Sequence, residues 1–114
     1  MKYMVTIYNN AEASAAIEGD ARAEFERAHK QIGEELKASG ELVDSNELGV
    51  PGAKIVRTGG GTTTVTDGPF TEGKEIAGGY YLVDCVSIDR AIEIASRFVE
   101  ARYTPIEVRP LLHG

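Results

Sequence analysis

The segment from residue 67 to residue 85 most constrains the fold, because it joins a turn to a strand without interruption. It begins with Asp67-Gly68-Pro69. Aspartate can hydrogen-bond its own downstream backbone, glycine accepts unusual backbone angles, and proline fixes φ and lacks a donor, so the chain must bend here. Residues 80–86 are rich in aromatic and β-branched side chains, a composition typical of a half-buried or fully buried strand.

A β-hairpin is predicted directly upstream of this segment. Residues 54–58 and 62–66 are short β-type runs, and three consecutive glycines separate them. This spacing is typical of two antiparallel strands joined by a tight turn. Further strands are predicted at residues 2–8, 41–48 and 106–112.

Two amphipathic helices are predicted between the strands. The first follows Asp20, a suitable N-cap, and continues to about Ser39, where Gly40 is placed to end it. The second follows the N-cap Ser87 and continues to about Arg102. Each has an apolar stripe at helical spacing, which we expect to face the sheet. The stripe of the second helix consists of Ile88, Ala91, Ile92, Ala95, Phe98 and Val99.

The order of these elements is strand, helix, strand, hairpin, strand, helix, strand. It predicts an α+β, ferredoxin-like split βαβ domain with an inserted β-hairpin, in which both helices cover one face of an antiparallel sheet. For residues 9–19 the sequence is compatible with either a short helical turn or a loop. A chain of 114 residues is the size of one domain, so we assign residues 1–114 to a single domain.

Charge and apolar patterning exclude several classes of function. A net charge of −6 opposes binding to phosphate backbones or to anionic lipid. The sequence turns polar at Asn9-Asn10, too soon for a signal peptide, and no apolar run approaches the roughly 18 residues of a membrane span. Cys85 is the only cysteine, so no internal disulfide can form. We expect a cytoplasmic protein that binds neither nucleic acid nor membrane.

Motifs for cofactors and metals are missing from the sequence. It has no Cys/His spacing of a metal site, no phosphate-binding glycine loop and no Gly-x-Ser-x-Gly elbow. The glycines at 59–61 precede a threonine-rich strand and not a helix, so they offer no helix N-terminus to phosphate. We therefore predict no cofactor and no metal.

His29 is the candidate for acid–base chemistry. It is the only histidine inside a predicted element, and it lies at the margin of the buried face of the first helix. An imidazole can abstract a proton near neutral pH when a carboxylate orients it. Asp67 or Asp84 could supply that carboxylate, and Asp67 could equally be a turn residue. The alternative for His29 is a structural residue that is hydrogen-bonded to backbone or water.

Arginines and tyrosines on the predicted strands are the candidates for ligand binding. Arg57 or Arg109 could hold a carboxylate if it faces a cavity, and the alternative is a structural salt bridge. Tyr8 and Tyr81 belong to a set of strand tyrosines that can line a pocket or pack in a dimer core. That set consists of Tyr3, Tyr8, Tyr80 and Tyr81.

These motifs resemble those of a known family. The segment Asp67 to Phe70, with Glu72, Lys74-Glu75 and Gly79-Tyr80, resembles the signature of the DGPF group of the YCII-related family, and residues 106–110 match its closing segment. The resemblance implies that two sheets pack face to face in a homodimer, forming a dimeric α/β barrel. Members of this group occur beside alternative sigma factors of bacteria, which implies a regulatory connection.

The resemblance also implies a role for His29. In the broader family a helix histidine lies about a dozen residues before a helix-ending glycine, here His29 and Gly40, and forms a dyad with an aspartate in an Asp-Pro segment after the second helix. This chain has Ala-Arg-Tyr-Thr-Pro at residues 101–105. The aspartate is therefore absent from its usual place.

Two hypotheses of function follow. The first is a homodimeric protein that binds a small molecule between sheet and helix or between protomers. If it is an enzyme, the reaction is cofactor-free proton transfer such as isomerisation, lactone chemistry or elimination, with His29 as base, Asp67 as the orienting acid and a tyrosine or arginine as anchor. The second is a non-catalytic ligand sensor or protein-interaction module.

Overall fold

The computed structural model describes residues 1–71, 73 and 75–114. Glu72 and Lys74, which belong to the sequence motif, lie outside the described residues. The elements in chain order are β1 (Lys2–Asn9), α1 (Ala11–Glu18), α2 (Arg22–Ser39), β2 (Leu42–Glu47), β3 (Lys54–Gly59), β4 (Thr62–Asp67), β5 (Ile76–Asp84), α3 (Ile88–Ser96), a 3₁₀ helix (Val99–Arg102) and β6 (Ile106–Pro110).

Two antiparallel sheets form from these strands. Four strands pair in the order β2-β5-β1-β6, while β3 and β4 form a separate two-stranded sheet. The predicted α+β class with antiparallel strands is confirmed. Within one chain the larger sheet is open and does not close into a barrel.

One face of the four-stranded sheet carries the core. On β1, Tyr3, Val5 and Ile7 point to this face and are buried, because side chains alternate along a strand. On β5, Tyr81 and Val83 continue the same buried surface. The helices supply the other half of the core with Ile32, Leu36, Ala91, Ile94 and Ala95, and Phe98, which lies between α3 and the 3₁₀ helix, adds to it.

The hairpin between β3 and β4 is confirmed. Gly60 and Gly61 form its tight turn with φ of 57° and 79°, the left-handed region that favours glycine. The strands pair in register, so that Val56 lies opposite Val65. Both valines are exposed, as are nearly all the other residues of these two strands.

The start of α2 differs from the prediction. Residues 11–18 form a helix of their own, which Asn10 caps by accepting a hydrogen bond from the Ala13 N–H at 2.8 Å. Asp20 is not the N-cap of α2, since the cap position is Ala21. Backbone carbonyls of Ala16 and Gly19 accept hydrogen bonds from the N–H groups of Ala21 and Arg22, in place of a capping side chain at these two positions. The predicted end at Gly40 is confirmed, with φ of 78°.

The second predicted helix is shorter than expected. Ser87 caps α3 as predicted, but the helix ends at Ser96 and Phe98 adopts an extended backbone before the 3₁₀ helix. The predicted apolar face is also partly wrong. Ile88 and Ile92 are exposed, because α3 packs through Ala91, Ile94 and Ala95. None of the helices that the described residues form has the length and apolar character required to cross a membrane.

Candidate functional site

His29 lies in α2 and makes two short hydrogen bonds through its ring. Nδ1 lies 2.8 Å from the hydroxyl oxygen of Tyr81 on β5, and Nε2 lies 2.8 Å from Oε2 of Glu100. The side chain of Glu100 is only 7% exposed and that of His29 is 23% exposed. Three separate elements therefore hold one imidazole in a fixed orientation at the edge of the core.

Glu100 reaches His29 because α3 does not continue. The extended backbone at Phe98 redirects the chain, and the 3₁₀ helix then places Glu100 among buried residues. In an uninterrupted helix Glu100 would lie about 140° around the axis from Ala95, off the buried stripe. The local break thus supplies the carboxylate of the site.

Aromatic rings surround the imidazole. The ring of Phe98 lies 4.9 Å from that of His29 and 4.8 Å from that of Tyr81, measured between centroids. Phe25, one helical turn before His29, lies 4.6 Å from the imidazole. These contacts restrict the rotamers of His29 and Tyr81 and shield their hydrogen bonds from water.

Burial and charge affect the phenol of Tyr81. Its burial, together with the nearby Glu100 carboxylate, raises the pKa of the Tyr81 hydroxyl above its ordinary value. The hydroxyl is therefore protonated near neutral pH and can donate a hydrogen bond.

Glu100 has unused hydrogen-bonding capacity. Its Oε1 is buried and has no hydrogen-bond partner among the described residues, and the same holds for Oγ1 of Thr104. Buried polar atoms without partners are uncommon and costly in native structures. The carboxylate is thus held in a position that packing alone does not favour.

The His29 cluster forms part of the wall of a cavity of about 640 Å³. The cavity lies among the ends of β1 and β2, the start of β5, α1 and the first half of α2. Phe25, His29 and Tyr81 contribute aromatic surface to it, and Tyr8 lines it as well. A volume of this size accommodates a small organic molecule.

Acidic side chains surround the cavity. Glu18, Glu26 and Glu47 line it at exposed positions, and Glu100 lines it at a buried one. Among the described lining residues there is no lysine and no arginine. Arg22, outside the lining, pairs with Glu26 at 3.2 Å, so the acidic charge at the cavity is offset in part.

The glycines at the start of β5 let the strand pass close to its neighbours at the cavity. A Cβ on Gly79 would lie 3.1 Å from the carbonyl oxygen of Asn46, and one on Gly78 would lie 3.3 Å from Cβ of Asn9. The β1–β5 register also shifts between Ile7 and Tyr8. A larger side chain at Gly79 would displace β2 from this wall.

The sequence-predicted site residues divide into two groups. His29, Tyr8 and Tyr81 all line the cavity. Tyr8 also donates a hydrogen bond to Glu107 at 3.3 Å, and burial together with Glu107 raises the pKa of the Tyr8 hydroxyl. Asp67, Arg57 and Arg109 do not line the cavity in the described chain.

Asp67 does not pair with His29, contrary to the expected arrangement. It ends β4 in the separate hairpin, where its carboxylate accepts a hydrogen bond from Nζ of Lys54 at 2.6 Å and is 87% exposed. Asp84, the other acid considered, binds the N-terminal amine at 3.1 Å. Both ring nitrogens of His29 already have other partners.

The two arginines also occupy other environments. Arg57 lies on β3 with its guanidinium carbon 5.9 Å from the ring centre of Phe70. Arg109 pairs with Met4 across β6 and β1, on the sheet face away from the helices. Neither arginine is placed to hold a carboxylate beside His29.

The sequence interpretation missed Glu100. The second helix was predicted to continue to about Arg102 and would have included Glu100, whereas α3 ends at Ser96, six residues earlier than Arg102. The available signal was the sequence Phe98-Val99-Glu100, in which a carboxylate directly follows two large apolar residues.

Comparisons with known proteins agree with the resemblance seen in the sequence. A family model described as the YCII-related domain matches residues 1–113. An uncharacterized protein of Rhizobium meliloti (strain 1021) is 34% identical over 121 residues, which cover 97% of this chain and 92% of that protein.

A solved structure is similar over the whole fold. It is a 5-chloro-2-hydroxyhydroquinone dehydrochlorinase from Burkholderia phenoliruptrix AC1100 in complex with 2,5-dihydroxybenzoquinone. The TM-score is 0.54 at 18% identity, and the alignment covers 100% of this chain and 96% of that one. The match of the family model over nearly the full length shows that this chain belongs to the YCII-related family.

Proposed function

We propose that this protein binds a small uncharged or cationic molecule in the cavity beside His29 and catalyses proton transfer there without a cofactor. The observation that carries the proposal is the position of His29, held between Glu100 and Tyr81 in the wall of the cavity. A carboxylate on one ring nitrogen fixes the tautomer and stabilises the imidazolium that forms when the ring takes a proton. Glu100 thus takes the role that the sequence interpretation gave to Asp67.

The charge of the cavity restricts the class of ligand. Glu18 and Glu47 would repel a carboxylate or phosphate at the entrance, whereas the charge of Glu26 is partly offset by its ion pair with Arg22. Aromatic walls favour a flat apolar or aromatic body. An uncharged or cationic ring compound therefore fits better than the carboxylate substrate considered for Arg57 and Arg109.

The name of the structural neighbour supports one reaction class. That enzyme is described as a dehydrochlorinase of a chlorinated hydroxyhydroquinone, and its complex contains a dihydroxybenzoquinone. Loss of hydrogen chloride requires removal of a proton, which is chemistry within reach of a histidine and a carboxylate. We propose elimination or isomerisation of a hydroxylated ring or enol as the reaction.

The assembly is a further part of the proposal. The strand order β2-β5-β1-β6 is compatible with a ferredoxin-like split βαβ domain, and Met4, Thr6 and Leu82 lie half-buried on the sheet face away from the helices. We propose that two copies pack through this face as a homodimeric α/β barrel. Light scattering should give twice the chain mass of 12.3 kDa, and a monomeric mass would contradict it.

A thermal-shift screen tests the proposed site. Wild type and His29→Ala are screened against a few hundred small metabolites, with Lys30→Ala as the control because Lys30 is an exposed neighbour on α2. A specific ligand at about 100 times its Kd adds about 2.7 kcal/mol to the free energy of unfolding. We expect uncharged or cationic ring compounds among the hits, bound by wild type and Lys30→Ala and lost in His29→Ala.

Turnover of each hit then tests catalysis. Loss of turnover in His29→Ala and Glu100→Gln, with Lys30→Ala unchanged, supports the proposal. Hits that bind equally to His29→Ala, or that are mainly carboxylates, would contradict it.

The second candidate function is a protein-interaction module, and the hairpin is the feature that favours it. Val56 and Val65 are 63% and 60% exposed and form one cross-strand pair of the hairpin. Exposed apolar residues grouped in this way are typical of a contact surface. Val65→Thr should abolish a partner contact made by this pair and leave the ligand screen unchanged.

A further inference from the structure

We infer that the hydroxyl of Tyr81, and not the ring of His29, is the group that exchanges a proton with the ligand, and that the ligand presents a hydroxyl group to it. The inference rests on the proposed function, since it concerns the same cavity. It follows from the donors and acceptors of the three residues that form the cluster.

The Glu100 carboxylate determines which atom donates in each of the two hydrogen bonds of His29. An ionised Glu100 can only accept, so Nε2 of His29 must carry the hydrogen between them. A neutral imidazole carries one hydrogen, and Nδ1 is then an acceptor. The hydroxyl of Tyr81, 2.8 Å from Nδ1, must therefore donate to it.

The ligand cannot use a nitrogen of His29 directly, because Glu100 and Tyr81 engage both nitrogens. The oxygen of Tyr81 has remaining lone pairs after donating its own hydrogen, and Tyr81 lines the cavity. The group available to a ligand is thus a hydrogen-bond acceptor. It selects a ligand that donates, such as a phenol or an enol.

A proton can then move along the cluster with all bonds balanced. The ligand O–H bond breaks as a new O–H bond forms on Tyr81, and the original Tyr81 O–H bond breaks as an N–H bond forms on Nδ1. The electron pair of the broken ligand bond stays on the ligand oxygen. The product is a ligand oxyanion that accepts from the Tyr81 hydroxyl, with an imidazolium beside the Glu100 carboxylate.

This arrangement gives the short His29–Tyr81 contact a chemical use. The pKa of the Tyr81 hydroxyl is raised, so a free phenolate is disfavoured and the tyrosine must gain one proton as it gives up the other. Reversal of the same steps returns the proton to the ligand oxygen. In the alternative step the Tyr81 O–H bond breaks as a C–H bond forms on the adjacent carbon of the enolate, and the Nδ1 proton of the imidazolium passes to Tyr81. The cluster therefore suits interconversion of enol and keto forms or the first step of an elimination.

The first arm of the test needs no ligand. Nitrogen-15 NMR of the histidine ring reports which nitrogen carries hydrogen, and His113→Gln removes the signals of the only other histidine. We expect His29 as the neutral tautomer with hydrogen on Nε2, at a pH where the ring is uncharged. Hydrogen on Nδ1 would overturn the inference, because Tyr81 would then accept from the ring and not donate to it.

The second arm compares phenol with anisole, which differ in the hydroxyl hydrogen. Both are titrated by NMR into wild type, Tyr81→Phe, His29→Ala and the control Tyr3→Phe. Tyr3 is a buried tyrosine on the same sheet face, and its hydroxyl contacts the Met1 sulfur at 3.5 Å, outside the cavity lining. We expect wild type and Tyr3→Phe to bind phenol about two to ten times more tightly than anisole, which corresponds to one hydrogen bond.

The outcomes separate the inference from the proposed function. Loss of the preference for phenol in Tyr81→Phe, with both compounds still bound, supports the relay. A preference that persists in Tyr81→Phe but disappears in His29→Ala would overturn the relay and leave the site at His29. Equal binding of phenol and anisole by wild type would also overturn the relay, and binding unchanged in His29→Ala would contradict the proposed function.

Discussion

Two acidic residues of this protein contact basic partners at nearly the same distance, yet their surroundings are opposite. Glu100 lies 2.8 Å from His29 and is 7% exposed, whereas Asp67 lies 2.6 Å from Lys54 and is 87% exposed. Water screens the second pair, and an exposed ion pair contributes about 0–1 kcal/mol. The first pair is shielded by aromatic rings, so the same kind of contact can orient and tune a reactive group.

The comparison extends to the elements that carry each acid. Glu100 follows a helix that packs on the four-stranded sheet, while Asp67 ends a strand of the separate hairpin. The Asp-Gly-Pro-Phe motif, which is conspicuous in the sequence, therefore marks the end of β4 and the irregular segment that follows it. The less conspicuous Glu100 lies in the cavity wall. A distinctive local sequence pattern and a chemically active environment need not coincide in one segment.

The largest expected effect on stability comes from removing an aromatic ring beside the buried His29–Glu100 pair. Phe98→Ala removes a side chain that is 2% exposed and packs on both His29 and Tyr81. It should lower the free energy of unfolding by about 3–5 kcal/mol. Urea denaturation of Phe70→Ala, on the exposed side, should show a loss below about 1 kcal/mol. Similar losses in the two variants would remove the energetic distinction between the regions.

Truncation of Glu100 and of Asp67 should lower stability less than Phe98→Ala does, and Glu100 should have the larger effect of the two. Glu100→Ala leaves Nε2 of His29 without its partner, which should cost about 1–3 kcal/mol and abolish ligand binding in the cavity. Asp67→Ala should cost less than about 1 kcal/mol and leave binding intact. Chemical denaturation and the ligand screen measure both. Loss of ligand binding in Asp67→Ala would contradict this account, because it would indicate that the ligand site lies at the hairpin.

A third ion pair provides a pH-dependent reference within the folded scaffold. Arg90 donates two hydrogen bonds to Glu41 at 2.9 Å, which lowers the pKa of the Glu41 carboxyl from its ordinary value of 4.5 to about 2. A carboxyl whose pKa is lower in the folded state than in the unfolded state stabilises the protein at pH values above its unfolded pKa. This contribution, about 1–2 kcal/mol, should be lost as the pH falls from about 4.5 to about 2.

Denaturation curves at several pH values measure this contribution. Glu41→Gln should be less sensitive to acid than wild type in that pH window. Glu93→Gln is the control, since Glu93 contacts the same arginine but is 65% exposed. An acid response of Glu41→Gln identical to that of wild type would contradict the assignment.

The smallest expected effect concerns the buried hydroxyl beside the site. Oγ1 of Thr104 has no hydrogen-bond partner among the described residues, so Thr104→Val replaces an unpaired polar atom with a methyl group of similar size. Stability should be unchanged or increase by up to about 1 kcal/mol. Thermal denaturation measures this difference. A clear destabilisation would show that the hydroxyl makes a bond, for example to a buried water.

Local sequence rules were sufficient for part of the fold. Gly40 ends α2 and Gly60 and Gly61 form the hairpin turn, because positive φ angles favour glycine whatever lies around them. Ser87 caps α3 for a similarly local reason. Three of the candidate site residues, His29, Tyr8 and Tyr81, line one cavity, and their roles there stay a prediction.

The remaining features depend on tertiary packing. The end of α3 at Ser96 has no glycine or proline to mark it, and the burial of Phe98 accompanies the change of direction. Glu100 could not be identified from the sequence as the partner of His29, because only the change of chain direction at Phe98 brings the two residues together. The position of Arg109 on the sheet face away from the helices, and the placement of Asp67 on a hairpin apart from the core, likewise depend on which strands pair.

The most direct test of the central claim is the location of a bound ligand. A hit from the thermal-shift screen is titrated into nitrogen-15-labelled protein, and the backbone amide shifts are mapped along the chain. The largest changes should occur at Phe25, His29, Tyr81 and the adjacent Gly78-Gly79 segment, which line the cavity. Changes concentrated on the hairpin near Val56 and Val65, with the His29 amide unchanged, would contradict the assignment of function to the His29–Glu100–Tyr81 site.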